Sequence, residues 1–255
     1  MDLILWGWAI AAAVMVAMWW YQWKTSNASH VDVAWAYGIG VLGLFYTSQL
    51  QGLTSSQWVV LACILIWSLR LGTFLWRRTM GKAEDSRYSD LRKRWSQAKF
   101  FLFYQFQALA IVLFSVPVLI SLQSMASQSV GSIQQIMGVV IAAISLLGEG
   151  LADRQLTSFK ENRAHQGRTC REGLWKYSRH PNYFFEWVFW FSFVAFAWGS
   201  SIWLLTWLGP VVMLILLFGV TGIPPSEARA LESRGDDYKD YQSKTSVFIP
   251  WFPKS

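Results

Sequence analysis

Apolar residues run almost unbroken through seven stretches of this chain, at 3–23, 31–50, 57–76, 99–122, 132–153, 183–198 and 201–221, and polar residues collect between them. A helix needs about 20 mainly apolar residues to cross roughly 30 Å of hydrocarbon. The pattern therefore predicts an all-α polytopic membrane protein with seven transmembrane helices. The sixth stretch is short, and Gly199-Ser200-Ser201 divides it from the seventh, which suggests a tight helical hairpin. The first follows Asp2 without a basic region and is longer than a signal-peptide core, so it reads as a retained membrane helix. No fixed-period repeat, low-complexity tract or soluble segment interrupts the series, and 1–255 reads as a single integral membrane domain.

Charge gives this pattern a direction. Residues 77–94 carry seven Lys and Arg, residues 154–179 another seven and the tail five, whereas 51–56, 123–131 and 199–200 carry none. The positive-inside rule then places the N-terminus outside and the C-terminus in the cytoplasm. Trp19, Trp20 and Trp23 fit an aromatic belt at the inner end of the first span. Composition agrees: 54% of the chain is hydrophobic and 15% charged, against about 25% charged in an ordinary soluble domain. Cys63 and Cys170 offer no disulfide framework or zinc spacing, and His30, His165 and His180 lie far apart, which argues against a structural metal site.

A few ionisable groups fall inside the spans: Asp32 in the second, Arg70 in the third, Glu149 and Asp153 in the fifth, Glu186 in the sixth. A charge at mid-bilayer costs about 2.5–3.5 kcal/mol on insertion scales. With the orientation above, each lies in the cytoplasmic half of its helix, and Glu149 and Asp153, four apart, share one face. One reading is interfacial anchoring by snorkelling, although short carboxylates snorkel poorly. The preferred reading is a polar cavity open to the cytoplasm and rimmed by arginines. The excess of cations suits an anionic ligand, phosphate above all; acidic lipid headgroups explain the same charge. Nucleic acid is not expected as a partner.

The run GLWKYSRHPNYFFEW at 173–187, the two apolar stretches after it, the tail EARALESRGDDYKDY at 227–241 and FIPW at 248–251 carry a resemblance. They are similar to the bacterial membrane family DUF1295, grouped with the steroid 5α-reductases and, more widely, with sterol reductases and isoprenylcysteine carboxyl methyltransferases. The resemblance covers 145–253 with good specificity. It is weaker in the first half, at VDVAW (31–35), SLRLG (68–72) and EDSRY (84–88). It implies a seven-span enzyme of a bacterial inner membrane that binds NADPH from the cytoplasm and reduces a carbon–carbon double bond conjugated to a ketone. Spans 3–122 would then form the substrate side and 132–255 the cofactor half. Carried over position by position, the pattern puts Glu149, Asp153 and Lys160 at the end of span five, Asn182 and Glu186 at the start of span six, and Arg87-Tyr88 in the third connection. The chain departs from the family in having Glu149 for an amide and in lacking a clear counterpart of the Gln-Glu and His-Tyr pairs that hold a steroid ketone. Nicotinamide binding is thus better supported than a steroid substrate.

The chemistry suits those positions. Asn182 can hydrogen-bond a carboxamide through both its C=O and its NH2, and Glu186, one turn on, faces the same side. Asp153 suits ribose hydroxyls. Lys160, Arg163, Arg168, Arg171 and Arg179, with Arg70, Arg87 and Arg234, are candidates for the diphosphate and 2′-phosphate. Tyr88, Trp175, Tyr177, His180, Tyr183, Tyr238 and Tyr241 complete the candidate cofactor set. Each has a plainer use: Arg179 as a positive-inside charge, His180 at the helix entrance, Tyr183 in an interfacial belt, Trp175 as a loop anchor, Tyr238 and Tyr241 in packing the tail. No G-x-G-x-x-G follows a strand, so a dinucleotide would be held without a Rossmann fold. Hydride transfer to an enone builds charge on the ketone oxygen, which needs a donor. Asp32 as a protonated carboxyl is the candidate, Tyr37 on the same helix an alternative, and Glu186 the third member of the catalytic set.

Three functions compete at this stage: an NADPH-dependent reductase of a hydrophobic enone such as a 3-oxo-Δ4 steroid, an S-adenosylmethionine-dependent methyltransferase of a lipid or prenylcysteine, and a non-enzymatic lipid-binding protein. The basic cluster after Asp153 favours NADPH, because S-adenosylmethionine has no phosphate. Seven spans without a repeat fit a transporter poorly.

Overall fold

The computed structural model describes residues 2–126, 131–219 and 222–254. Part of the charge-free connection at 123–131 and the end of the seventh predicted span lie outside them. In chain order the helices are α1 (Asp2–Thr25), α2 (Val31–Ser48), α3 (Ser55–Thr79), α4 (Ser86–Arg92), α5 (Gln97–Ala126), α6 (Ser132–Glu161), α7 (Pro181–Phe189), α8 (Phe191–Ala197), α9 (Leu208–Gly219), α10 (Ile223–Arg234) and α11 (Asp236–Lys244). Short 3-10 turns lie at Arg163–His165, Gly173–Lys176 and Trp203–Trp207, and there is no strand among the described residues.

Five stretches are long and apolar enough to cross a membrane: α1, α3, α5, α6 and Trp203–Arg234. The second predicted span is α2, an 18-residue helix with Asp32 in its first turn. The sixth is two short helices meeting at Trp190, α7 and α8, and the seventh begins as a 3-10 turn before α9. Large apolar side chains such as Leu102, Leu147 and Ile215 point outward from these helices, as lipid-facing positions do.

The chain forms two compact units, one from residues 1–135 and 193–209, the other from 136–192 and 210–255. In the first, α5 is the buried post against which α1, α2 and α3 pack. Pro117 deprives this helix of one internal hydrogen bond, and Ser121 Oγ binds the Pro117 carbonyl at 2.8 Å and the Phe193 carbonyl at 3.1 Å. Helix α3 starts in a full capping box, Thr54 with Gln57, and Gln57 Nε2 also donates to the Leu122 carbonyl at 3.0 Å, tying α3 to α5. The second unit joins most of α6 to α7, most of α9, α10, α11 and the tail that follows.

Candidate functional site

In the second unit the run at 173–187 folds for local reasons. Gly173 has φ +56°, and a Cβ there would run into the Gln155 side chain. Gln155 Oε1 accepts from Leu174 N at 2.9 Å, and Trp175 Nε1 donates to the Ala152 carbonyl at 2.9 Å, so the turn is pinned to α6. Pro181 opens α7, where a missing N–H costs nothing. Two polar faces then meet. Glu149 and Asp153 on α6 and Glu186 on α7 are all buried, and Asn182 Nδ2 donates to Asp153 Oδ1 at 3.1 Å. Glu186 Oε1 accepts from Trp190 Nε1 at 3.3 Å. The Phe185 ring lies against Gly148 and leaves no room for a side chain there.

Beside this cluster Arg179 and His180 turn the other way, towards the tail. Arg179 grips Glu227 with two prongs, Nε to Oε1 at 2.7 Å and Nη2 to Oε2 at 3.2 Å, while Nη1 donates to the Gln242 and Thr245 carbonyls at 2.8 and 3.3 Å. The same carboxylate meets His180 Nε2 at 3.2 Å, Tyr238 Oη at 3.3 Å and Gln242 Nε2 at 2.8 Å. Four side chains from two segments, the entrance of α7 and α11, thus share Glu227, which was not among the residues singled out in the sequence. The Tyr183 ring stacks on His180 at 5.4 Å, and its hydroxyl lies 3.3 Å from Ser226 Oγ.

The tail is strapped down mainly by backbone. Ser178 Oγ donates to the Phe248 carbonyl, Arg179 N to Ser246 and Trp251 N to Tyr177. The buried Tyr241 hydroxyl donates to the Trp175 and Ser178 carbonyls. Arg171 is committed to Asp240 at 2.6 Å and Asp237 at 3.0 Å, and Arg234 lies over the Tyr238 ring at 5.1 Å. Of the six cations expected at 160–179 and in the tail, these three face α11 or the tail, whereas Lys160, Arg163 and Arg168 lie at the surface. Asp237 also accepts from Thr169 N at 2.7 Å. Partial burial works against its charge, but the Thr169 and Arg171 contacts prevail and hold its carboxyl below the usual range. A carboxyl depressed on folding stabilises the fold above its unfolded pKa and loses that contribution as pH falls through the folded value. Protection of the Thr169 amide, its exchange relative to an unstructured peptide at the same pH, should therefore hold down to about pH 4 and weaken only below it. Asp237→Asn should remove the pH dependence.

In the first unit α2 and the third connection build a separate polar cluster. Asp32 accepts from Arg87 Nη2 at 2.9 Å and from the buried Tyr88 hydroxyl at 2.6 Å. Asp85 caps α4 and binds Arg87 Nε at 3.1 Å. Burial opposes the Arg87 charge, but Asp32 and Asp85 outweigh it and hold the guanidinium above its ordinary pKa. Glu84 receives Ala28 N at 2.7 Å and Arg92 at 2.7 Å, and Arg92 reaches Gln22 at 2.9 Å. Asp32, expected as a catalytic group, is thus joined to Arg87 and Tyr88, expected at the cofactor, a grouping the sequence did not suggest; Glu84, Asp85, Arg92 and Gln22 were missed. Their signal is weak, because the EDSRY run and Arg92 bind Ser29, Ala28, Asp32 and Gln22, all more than 50 residues away. Tyr37 is elsewhere on α2, its ring over Gly72 and its hydroxyl 3.1 Å from Thr73 Oγ1. Arg70 lies in the C-terminal half of α3. Among the described residues no group of three or more His, Cys, Asp or Glu is placed to hold a metal.

Helices of this length and apolarity are those of an integral membrane protein. The chain belongs to the family described as protein of unknown function (DUF1295), which matches residues 18–245. It is also similar to an uncharacterized protein of Schizosaccharomyces pombe, 28% identical over 97% of this chain and 76% of that protein. No solved structure matches the chain.

Proposed function

We propose that the protein is an NADPH-dependent membrane reductase of a conjugated C=C bond in a hydrophobic enone. The observation that carries this reading is the hydrogen bond from Asn182 on α7 to Asp153 on α6, with buried Glu186 one turn along α7 from Asn182; these are three positions that the resemblance to steroid 5α-reductases marks for the nicotinamide nucleotide. These residues fit the group. Asn182 spends one N–H on Asp153 and keeps its carbonyl and second N–H for a carboxamide. The Asp153 carboxylate suits a ribose hydroxyl, and Lys160, Arg163 and Arg168 suit phosphate. When bound, NADPH would supply a hydride to the β-carbon of the enone. The chain's part is then to orient the ring through Asn182, with Glu186 held by Trp190, and to give a proton to the product. The proton for that step is assigned to the Tyr88 hydroxyl, positioned by the Asp32 carboxylate that accepts its hydrogen bond and is paired with Arg87; Tyr37 is the alternative.

The proposal includes seven crossings, α2, the α7–α8 pair and α9 counted among them, with the N-terminus outside and the candidate site facing the cytoplasm. Accessibility tags at the N-terminus and at 126 should react from outside, and tags at 90, 165 and 255 from inside. A tag at 126 that reacts only from the inner face overturns the seven-span count. The activity itself is tested by ligand stabilisation of detergent-purified protein with NADPH, NADH and S-adenosylmethionine. A ligand at 100 times its dissociation constant adds about 2.7 kcal/mol, so NADPH should raise the melting temperature most. Stabilisation by S-adenosylmethionine alone would favour methyl transfer, and no response to any nucleotide would favour a lipid-binding role.

A further inference from the structure

The last ten described residues combine two properties that rarely occur together, a pinned backbone and large apolar side chains left in the open. Trp251 N is bound to the Tyr177 carbonyl at 2.9 Å, the Phe248 carbonyl to Ser178 Oγ at 2.7 Å, and Lys254 N to the Lys244 carbonyl at 2.8 Å. Yet Ile249 is 58% exposed, Trp251 70% and Phe252 76%. Hydrophobic collapse has not covered them, although Phe248, between Ile249 and the strap, is buried against Phe184, Trp187 and Phe218. The segment follows two polar helices, α10 and α11, so its exposed side chains are not simply the flank of a spanning helix. Lysines surround it: Lys254 two residues on, Lys244 across the backbone bond, and Lys176 beside Tyr177, whose ring meets Phe252 edge-on at 6.0 Å.

A Trp and a Phe on an irregular, fixed backbone, rimmed by cations, fit the boundary between headgroups and acyl chains. The rings bury their apolar bodies there and the ammonium groups meet phosphate. We propose that Ile249, Trp251 and Phe252 dock into the lipid interface, with Lys176 and Lys254 on anionic headgroups, so that the membrane holds the strap that fixes Arg179 and His180. This inference does not depend on the reductase reading. It makes the bilayer a working part of the C-terminal strap.

The test uses the full chain in lipid nanodiscs with a single environment-sensitive fluorophore on Trp251→Cys or Phe252→Cys, and on Lys239→Cys, exposed on α11, as the aqueous reference. The native Cys63 and Cys170 are buried. Shallow brominated lipids should quench the probes at 251 and 252 severalfold more than the probe at 239. Adding phosphatidylglycerol to phosphatidylcholine should increase that quenching, and Lys176→Gln with Lys254→Gln should erase the increase. Equal quenching at 251, 252 and 239 overturns the proposal. So does protection that appears only in discs holding two chains, because a second copy would then be the occupant. Indifference to the anionic lipid removes the headgroup contact. The probe at 252 keeps the test decisive should Trp251→Cys fail to fold.

Discussion

Arg179→Met is expected to destabilise the second unit by about 1–3 kcal/mol, the cost of taking the donor away from polar groups inside the fold, since Glu227 keeps His180, Tyr238 and Gln242. The Arg179 and Glu227 side chains are only 12% and 16% exposed, so the remaining carboxylate is poorly placed to find water. The loss also strips the Gln242 and Thr245 carbonyls of their donor. Most of the damage should fall on the strap, since the guanidinium joins the entrance of α7 to α10 and to the end of α11. Hydrogen exchange at 238–251 should rise steeply, while exchange along α1–α5 stays as in the parent. Glu227→Gln should cost less, because a neutral amide of the same shape keeps part of the network. If Arg179→Met melts with the parent and the tail remains protected, the Glu227 hub contributes little and the backbone bonds alone hold the strap.

Five of the predicted spans were legible because a bilayer imposes length and apolarity on each helix independently of its neighbours. The run at 99–122 became α5 and the run at 132–153 became α6, with ends that extend into polar residues. The break at Trp190 was not legible. The apolar run 183–198 carries no proline or glycine there, and nothing in hydropathy marks the change from α7 to α8. Contacts between distant segments were legible only where the family resemblance supplied them. Asp153 with Asn182 is such a case, and the structure brings the two within a hydrogen bond. Glu227 lay in plain view in the tail run, but its partners are 47 and 48 residues away at His180 and Arg179, and one carboxylate among the 15 acidic residues has no local signature. The strap is harder still, because main-chain carbonyls of Ser246 and Phe248 do the holding and any residue has one.

Asn182→Ala is expected to weaken NADPH binding by about 1–3 kcal/mol, since the carboxamide it meets would be left unpaired in a site with little water. At 1.4 kcal/mol per decade, that is roughly a five- to hundredfold rise in the dissociation constant. Asp153→Ala should act in the same direction for two reasons. It removes the group expected to meet the ribose, and it frees the Asn182 amide, whose Nδ2 is now held 3.1 Å from Asp153 Oδ1. The two losses should be less than additive in the double variant, because part of what Asp153 does is to orient Asn182. Asp32→Asn separates binding from chemistry. It keeps a side chain of similar size beside Arg87 and Tyr88 in the first unit, so NADPH affinity should survive while single-turnover oxidation of NADPH by an enone falls. Both quantities are read from one preparation, by nucleotide titration and by loss of NADPH absorbance with a steroid enone as trial acceptor. Normal NADPH affinity in Asn182→Ala, in a protein that melts like the parent, would reduce the 173–187 run to a helix entrance. Unchanged turnover in Asp32→Asn would leave the cofactor reading intact and move the proton donor to Tyr37.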